Sequence, residues 1–135
     1  MVDSNERLVE PFKGKTLLSL FLQVQVMVHR IRLRHPWTRE ACTVDDHRVA
    51  FTRRFNRPTG LTTTDRLDVE MLGHVGQIVL IELNEQSLQS DTSAEPIRID
   101  VRAAIRDHNE LRIVLRRDGD WPELGEVSLR IESEG

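Results

Sequence analysis

An all-β fold, an antiparallel β-sandwich of the jelly-roll kind with seven to nine strands and one short helical turn, is what three features of this sequence predict. Short apolar runs of period two recur along the chain. Clusters of Gly, Pro, Asn and Asp separate them at short intervals, as turns do. The longest aliphatic run, at residues 77–83, is only seven residues long and rich in β-branched side chains, which favours strand over helix. Strands at this spacing suit a Greek-key sandwich or jelly roll.

Residues 1–15 are polar, mixed in charge and carry Pro11 and Gly14, so they read as a flexible tail; residues 16–135 read as a single sandwich domain. The stretch LLSLFLQVQVMV at 17–28 is too short to span a bilayer as a helix. Lys13 and Lys15 precede it as they would in a secretory signal, yet Asp3, Glu6 and Glu10 stand in the leading segment and no small-residue cleavage site follows. Its alternation, Leu20, Leu22, Val24, Val26 and Val28 with Gln23 and Gln25 between, predicts a strand. The strand continues into HRIRLR, where the apolar phase moves to Ile31 and Leu33, and this predicts a bulge near Val28.

Residues 35–48 read as loop, with Pro36-Trp37 and Asp45-Asp46 as turn signals. In the next strand Val49, Phe51 and Phe55 share one parity while Ala50, Thr52 and Arg54 take the other. Arg53 falls on the apolar parity, where a cation needs an acid or an opening. Leu67, Val69 and Met71 alternate with Asp68 and Glu70 in a half-buried strand, and Gly73-His74-Val75-Gly76 turns the chain into QIVLIEL. That segment holds five aliphatics in seven residues and predicts the central strand, buried on both faces, with Ile81 and Leu83 inward and Glu82 in need of a partner. Beyond a polar loop come Ile97, Ile99 and Val101 at period two, a helical turn in VRAAIRDHN closed by Asn109, and strands carrying Leu111, Ile113 and Leu115 and then Val127, Leu129 and Ile131, with the turn Asp118-Gly119-Asp120 between the last two.

The 135 residues, 39% of them hydrophobic, suffice for one core without metal or disulfide staples. The one cysteine, Cys42, excludes an intrachain disulfide and reads as a small, partly buried residue. The net charge of -3 conceals a segregation: residues 28–57 hold eight Arg against three acids, whereas residues 58–135 hold eight Arg against sixteen. Pairing of these Arg and acids across strands accounts for the map, and a pI near 5.9 argues against nucleic acid as a partner.

The order of these pieces resembles the sugar-binding jelly-roll domain that precedes the catalytic barrel in glycoside hydrolases of family 2, and related galactose-binding-like domains. The pieces are Trp37, FTRRF at 51–55, Pro58-Thr59-Gly60, RLDVEML, IELNEQSL, Asp100-Val101, Asn109-Glu110-Leu111 and GEVSLRI at 125–131. The likeness runs from about Val28 to Glu132. Most members carry Gly after the Leu-Asn; Glu85 stands there here, which predicts a turn of another type or one residue longer. The resemblance implies a fold and an ancestral ligand class, not an activity, since the catalytic carboxylates of such hydrolases lie in the barrel.

No phosphate-binding Gly-rich loop, Cys-x-x-Cys pair or Gly-x-Ser-x-Gly elbow is present, and the five histidines are scattered. The expectation is therefore a non-catalytic module with no cofactor, although Asp45, Asp46, Asp118 and Asp120 are the oxygen donors from which a structural calcium could be drawn. Trp37 and Trp121 are the large flat side chains of the loops, and with Arg53 and Arg54 they form the predicted ligand-binding set, the rings stacking on a sugar and the guanidinium groups binding hydroxyls. A carbohydrate is the first partner to expect and another protein chain the second, through an exposed sheet acting as a scaffold. A hydrolase accessory domain without its catalytic partner is the third reading.

Overall fold

The computed structural model describes residues 26–42, 47–88 and 94–134. They form nine strands: β1 (Val26–Arg32), β2 (Thr38–Ala41), β3 (Arg48–Asn56), β4 (Arg66–Leu72), β5 (Gln77–Leu83), β6 (Gln86–Ser87), β7 (Ile97–Asp100), β8 (His108–Arg116) and β9 (Glu126–Glu134). Two antiparallel sheets result, of order β1-β9-β4-β7 and β2-β3-β8-β5-β6. Their inner faces meet through the parity the sequence predicts, with Leu67, Val69, Met71, Ile97, Ile99, Val127 and Leu129 on one side and Val49, Phe51, Phe55, Ile81, Leu83, Leu111, Ile113 and Leu115 on the other, all buried. The architecture is an all-β sandwich.

Several details differ from the sequence reading, each for a local reason. The run 77–83 is not the central strand: β8 holds the middle of its sheet, and β5 lies between β8 and the two-residue β6. The register against β8 shifts between Ile78 and Leu80, which leaves Val79 38% exposed, so the apolar residues on both parities reflect a bulge rather than burial on two faces. Ile81 and Leu83 are inward as expected, and Glu82 meets Arg112 at 3.4 Å.

The strand buried on both faces is β4, where the outward Asp68 and Glu70 lie beneath arginines. Arg30 Nε and Arg98 Nε donate to Glu70 at 2.7 and 2.8 Å, and Asp68 lies 3.3 Å from Arg66 and 3.6 Å from Arg130. Arg30 reaches across β9 to β4, so the segregation of charge along the chain becomes pairing across a sheet.

No bulge occurs near Val28. The pairing of β1 with β9 runs unbroken from Val26↔Glu134 to Arg32↔Ser128, and the phase change arises because Val26 and Val28 are apolar residues on the solvent face. The remainder of the predicted strand, residues 17–25, lies outside the described residues, as does the tail. Within 35–48, read as loop, Thr38–Ala41 forms the edge strand β2, invisible to apolar periodicity because all four of its residues are exposed.

The helical turn in VRAAIRDHN is a single hydrogen-bonded turn, Ala104 N donating to Val101 O at 3.0 Å, and no helix occurs among the described residues. The hairpin after Leu83 keeps a two-residue loop although Gly is missing. Asn84 and Glu85 both take positive φ, 55° and 69°, the pattern of a type I′ turn, so Glu85 holds a backbone conformation that glycine adopts freely.

Candidate functional site

Two clefts of similar volume open on the sandwich, and their chemistry differs. The first, of about 490 Å³, lies where the chain crosses from β1 to β2 and meets residues 123–127 ahead of and within β9. Its wall carries Trp37, Arg32, Arg34 and Arg39, faced by Glu123 and Glu126. Leu33 N donates to Val127 O at 2.8 Å and pins the start of the crossover. Trp37 packs against the core, and its indole N–H donates to Leu33 O at 3.0 Å, which fixes the ring where it borders the cleft. On the β2–β3 ladder, the Arg39 guanidinium lies 5.6 Å from the centre of the Phe51 ring. Arg32 pairs with Glu126 at 3.3 Å; among the described residues no acid lies within ion-pair distance of Arg34 or Arg39.

Gly125 is needed for this wall. Its φ is +71°, and a Cβ there would strike the Leu72 carbonyl and the backbone of Gly73, so the approach to β9 passes closer to the end of β4 than any side chain permits.

The second cleft, of about 530 Å³, is lined by Arg54, Phe55, Asn56, Asn84, His108, Asn109 and Glu110. Each of its polar side chains has a partner beside it. Asn109, buried, accepts from Arg106 N at 2.7 Å and from Asn84 Nδ2 at 3.0 Å, and donates to Arg106 O at 2.8 Å and Phe55 O at 3.3 Å. Asn84 Oδ1 accepts from Glu110 N at 2.9 Å. Asn56 and His108 meet at 3.1 Å, and Arg54 stands 3.9 Å from Glu110.

The four predicted ligand residues are therefore dispersed. Trp37 lines the first cleft and Arg54 the second. Arg53 lines neither and meets no acid among the described residues: its half-exposed side chain donates from Nε to Arg34 O and from Nη1 to Arg54 O at 2.9 Å, so carbonyl oxygens satisfy the cation and brace the crossover against β3. Trp121 is 55% exposed and lies apart from both clefts, with the Arg117 guanidinium 4.4 Å over its ring. Arg34 and Arg39 escaped the sequence reading because neither breaks a pattern; their placement three residues before and two after a loop Trp is the signal that was there to find.

Asp45 and Asp46 lie outside the described residues, and Asp118 and Asp120 flank a tight turn in which Asp120 N donates to Asp118 O at 3.1 Å. Among the described residues no three His, Cys, Asp or Glu side chains converge as a metal-ligand set.

Comparison with known proteins places this fold. It is similar to the crystal structure of an FMN-binding beta-glucuronidase from Facaelibacterium prausnitzii L2-6, with a TM-score of 0.60 at 18% identity. The match covers 78% of this chain and 23% of that one, so the chain spans less than a quarter of the glucuronidase. The sandwich is thus of a kind found within a sugar hydrolase. No protein-family model and no curated protein matches the sequence. Among the described residues no helix is long and apolar enough to cross a membrane.

Proposed function

We propose that this chain is a galactose-binding-like module that binds carbohydrate without catalysing a reaction, and that the Trp37 cleft is where it does so. The observation that carries this reading is the cleft itself: an indole ring with its N–H already engaged borders an open space lined by apolar groups and by charged side chains, Arg32, Arg34, Arg39, Glu123 and Glu126, able to bind hydroxyls. Sugars are recognised by that pairing of an apolar ring face with planar polar groups. The fold shared with part of a beta-glucuronidase supports the ligand class, as does the motif order of the galactose-binding-like domains. The second cleft is a poorer candidate, because a ligand there would have to break hydrogen bonds that hold β3, β5 and β8 together.

Affinity on the order of millimolar is expected for so open a site. A panel of neutral and acidic oligosaccharides titrated into the 15N-labelled chain tests this directly. Binding should displace the Trp37 indole resonance and leave that of Trp121 in place; Trp37→Phe should weaken it and Trp121→Ala should not. A panel in which no sugar moves Trp37 sinks the reading.

One feature favours the scaffold alternative. The strand β1, at the edge of its sheet among the described residues, exposes Val26, Met27 and Val28, at 50%, 66% and 41%. Sedimentation velocity over a range of concentrations separates the two, since a scaffold built on this edge associates whether or not sugar is present.

A further inference from the structure

We infer that the ligand of the Trp37 cleft is an acidic sugar, one bearing a carboxylate, and that Arg34 and Arg39 are the residues that select it. The inference rests on the carbohydrate reading above and names its substrate class.

The chain carries a net charge of -3, yet the cleft's three guanidinium groups, Arg32, Arg34 and Arg39, come from the segment 28–57, where eight Arg stand against three acids, and they outnumber the cleft's two carboxylates. Within the cleft, Arg32 and Glu126 neutralise one another at 3.3 Å. That leaves Arg34 and Arg39 against the single carboxylate of Glu123. Arginines over the four-stranded sheet are differently placed: Arg30 and Arg98 clamp Glu70, and Arg130 contacts both Asp68 and Glu132.

Geometry adds a second step. Arg39 stands over the Phe51 ring, and a guanidinium resting its face on an aromatic ring keeps its in-plane N–H donors available to a carboxylate. The main chain of Arg34 is tied to β3 by the Arg53 hydrogen bond to its carbonyl, so the loop bearing the second guanidinium is ordered before any ligand arrives. Trp37 contributes no free donor, its N–H being bonded to Leu33 O, and offers only a ring face. A neutral sugar would use that face and offer the two guanidinium groups only hydroxyls; a sugar with a carboxylate would also supply the counter-charge.

The test is a comparison of three ligands on the full chain at constant ionic strength: a hexuronate-terminated disaccharide, its neutral hexose counterpart and inorganic sulfate, each followed by the Trp37 indole and arginine Nε resonances. The acidic sugar should bind about tenfold more tightly than the neutral one, a preference that shrinks as salt is raised. Arg34→Gln with Arg39→Gln should abolish the preference, bringing the acidic sugar's affinity down to that of the neutral sugar measured on the same variant. Equal affinity for the two sugars, or a preference that survives both substitutions, overturns the inference and leaves the carbohydrate reading standing. Sulfate binding as tightly as the acidic sugar also overturns it, in favour of a simple anion site. If neither sugar binds, both readings fall together.

Discussion

The two clefts are nearly equal in volume and both are lined by arginine, glutamate, histidine and an aromatic ring, yet only one has polar groups to offer. Around Asn84 and Asn109 every polar side chain is engaged by a neighbour, and the cleft is the outer surface of a closed hydrogen-bond network. Around Trp37, two exposed guanidinium groups have no acid within ion-pair distance among the described residues. Hydrogen-bond saturation, not size, is what separates the two clefts. A saturated buried amide network stabilises the fold, whereas exposed unpaired cations add almost nothing to it and are left for another molecule.

The sharpest way to break this contrast is Asn109→Ala. The substitution leaves Arg106 N, Arg106 O and Phe55 O without their side-chain partner and should cost roughly 2 to 4 kcal/mol, read from urea unfolding. A loss below about 0.5 kcal/mol would mean that the network is incidental.

Glu70 extends the comparison to a place where arginines are paired. Its carboxyl is held below the ordinary range, chiefly by the hydrogen bond from Arg30 and then by that from Arg98, with burial opposing both. Because the folded pKa is depressed, its contribution is complete above the unfolded value and drains away as pH falls through the folded one. Glu70→Gln should therefore lower stability at neutral pH by about 1 to 2 kcal/mol. The gap to the parent should close at acid pH, which melting curves at several pH values would reveal.

Smaller and opposite in sign is Glu85→Gly. At φ 69° a side chain is strained, and glycine should raise stability by up to about 1 kcal/mol in thermal melts, the gain reduced by glycine's greater freedom in the unfolded chain. Least of all, Arg34→Gln and Arg39→Gln should each leave the stability read from urea unfolding within about 0.5 kcal/mol of the parent, because among the described residues neither pairs with an acid and the Arg39 contact with Phe51 is long. If either proves costly, the open cleft is a structural element after all.

The sequence was most legible where a strand faces the core on one side and water on the other. Val49, Phe51 and Phe55, or Leu111, Ile113 and Leu115, show their parity directly. It misled where burial and polarity part company. Asp68 and Glu70 look solvent-facing because they are charged, and are buried because arginines from β1, β7 and β9 lie over them, which no local pattern records. The aliphatic run of β5 looks doubly buried because a bulge shifts its parity midway. The candidate site was half legible: Trp37 stood out by type, whereas Arg34 and Arg39 come together with it only when β2 pairs with β3 and the crossover folds beside them. Arg53 was visible as an anomaly, but its resolution by carbonyl oxygens depends on a loop from the other sheet.

The position of β9 between β1 and β4 has a consequence for how the molecule is made. The five-stranded sheet has all its members once Arg116 has been synthesised, while the four-stranded sheet lacks its second member until residues 126–134 emerge. At ~5–20 residues per second, the inward faces of Phe51, Ile113 and Leu115 wait roughly one to a few seconds for the strand that completes their cover. During that interval the nascent chain presents an open apolar sheet to chaperones and to its neighbours on the polysome. The wall of the Trp37 cleft formed by residues 123–127 arrives with the same strand, so the cleft does not exist until synthesis has reached it.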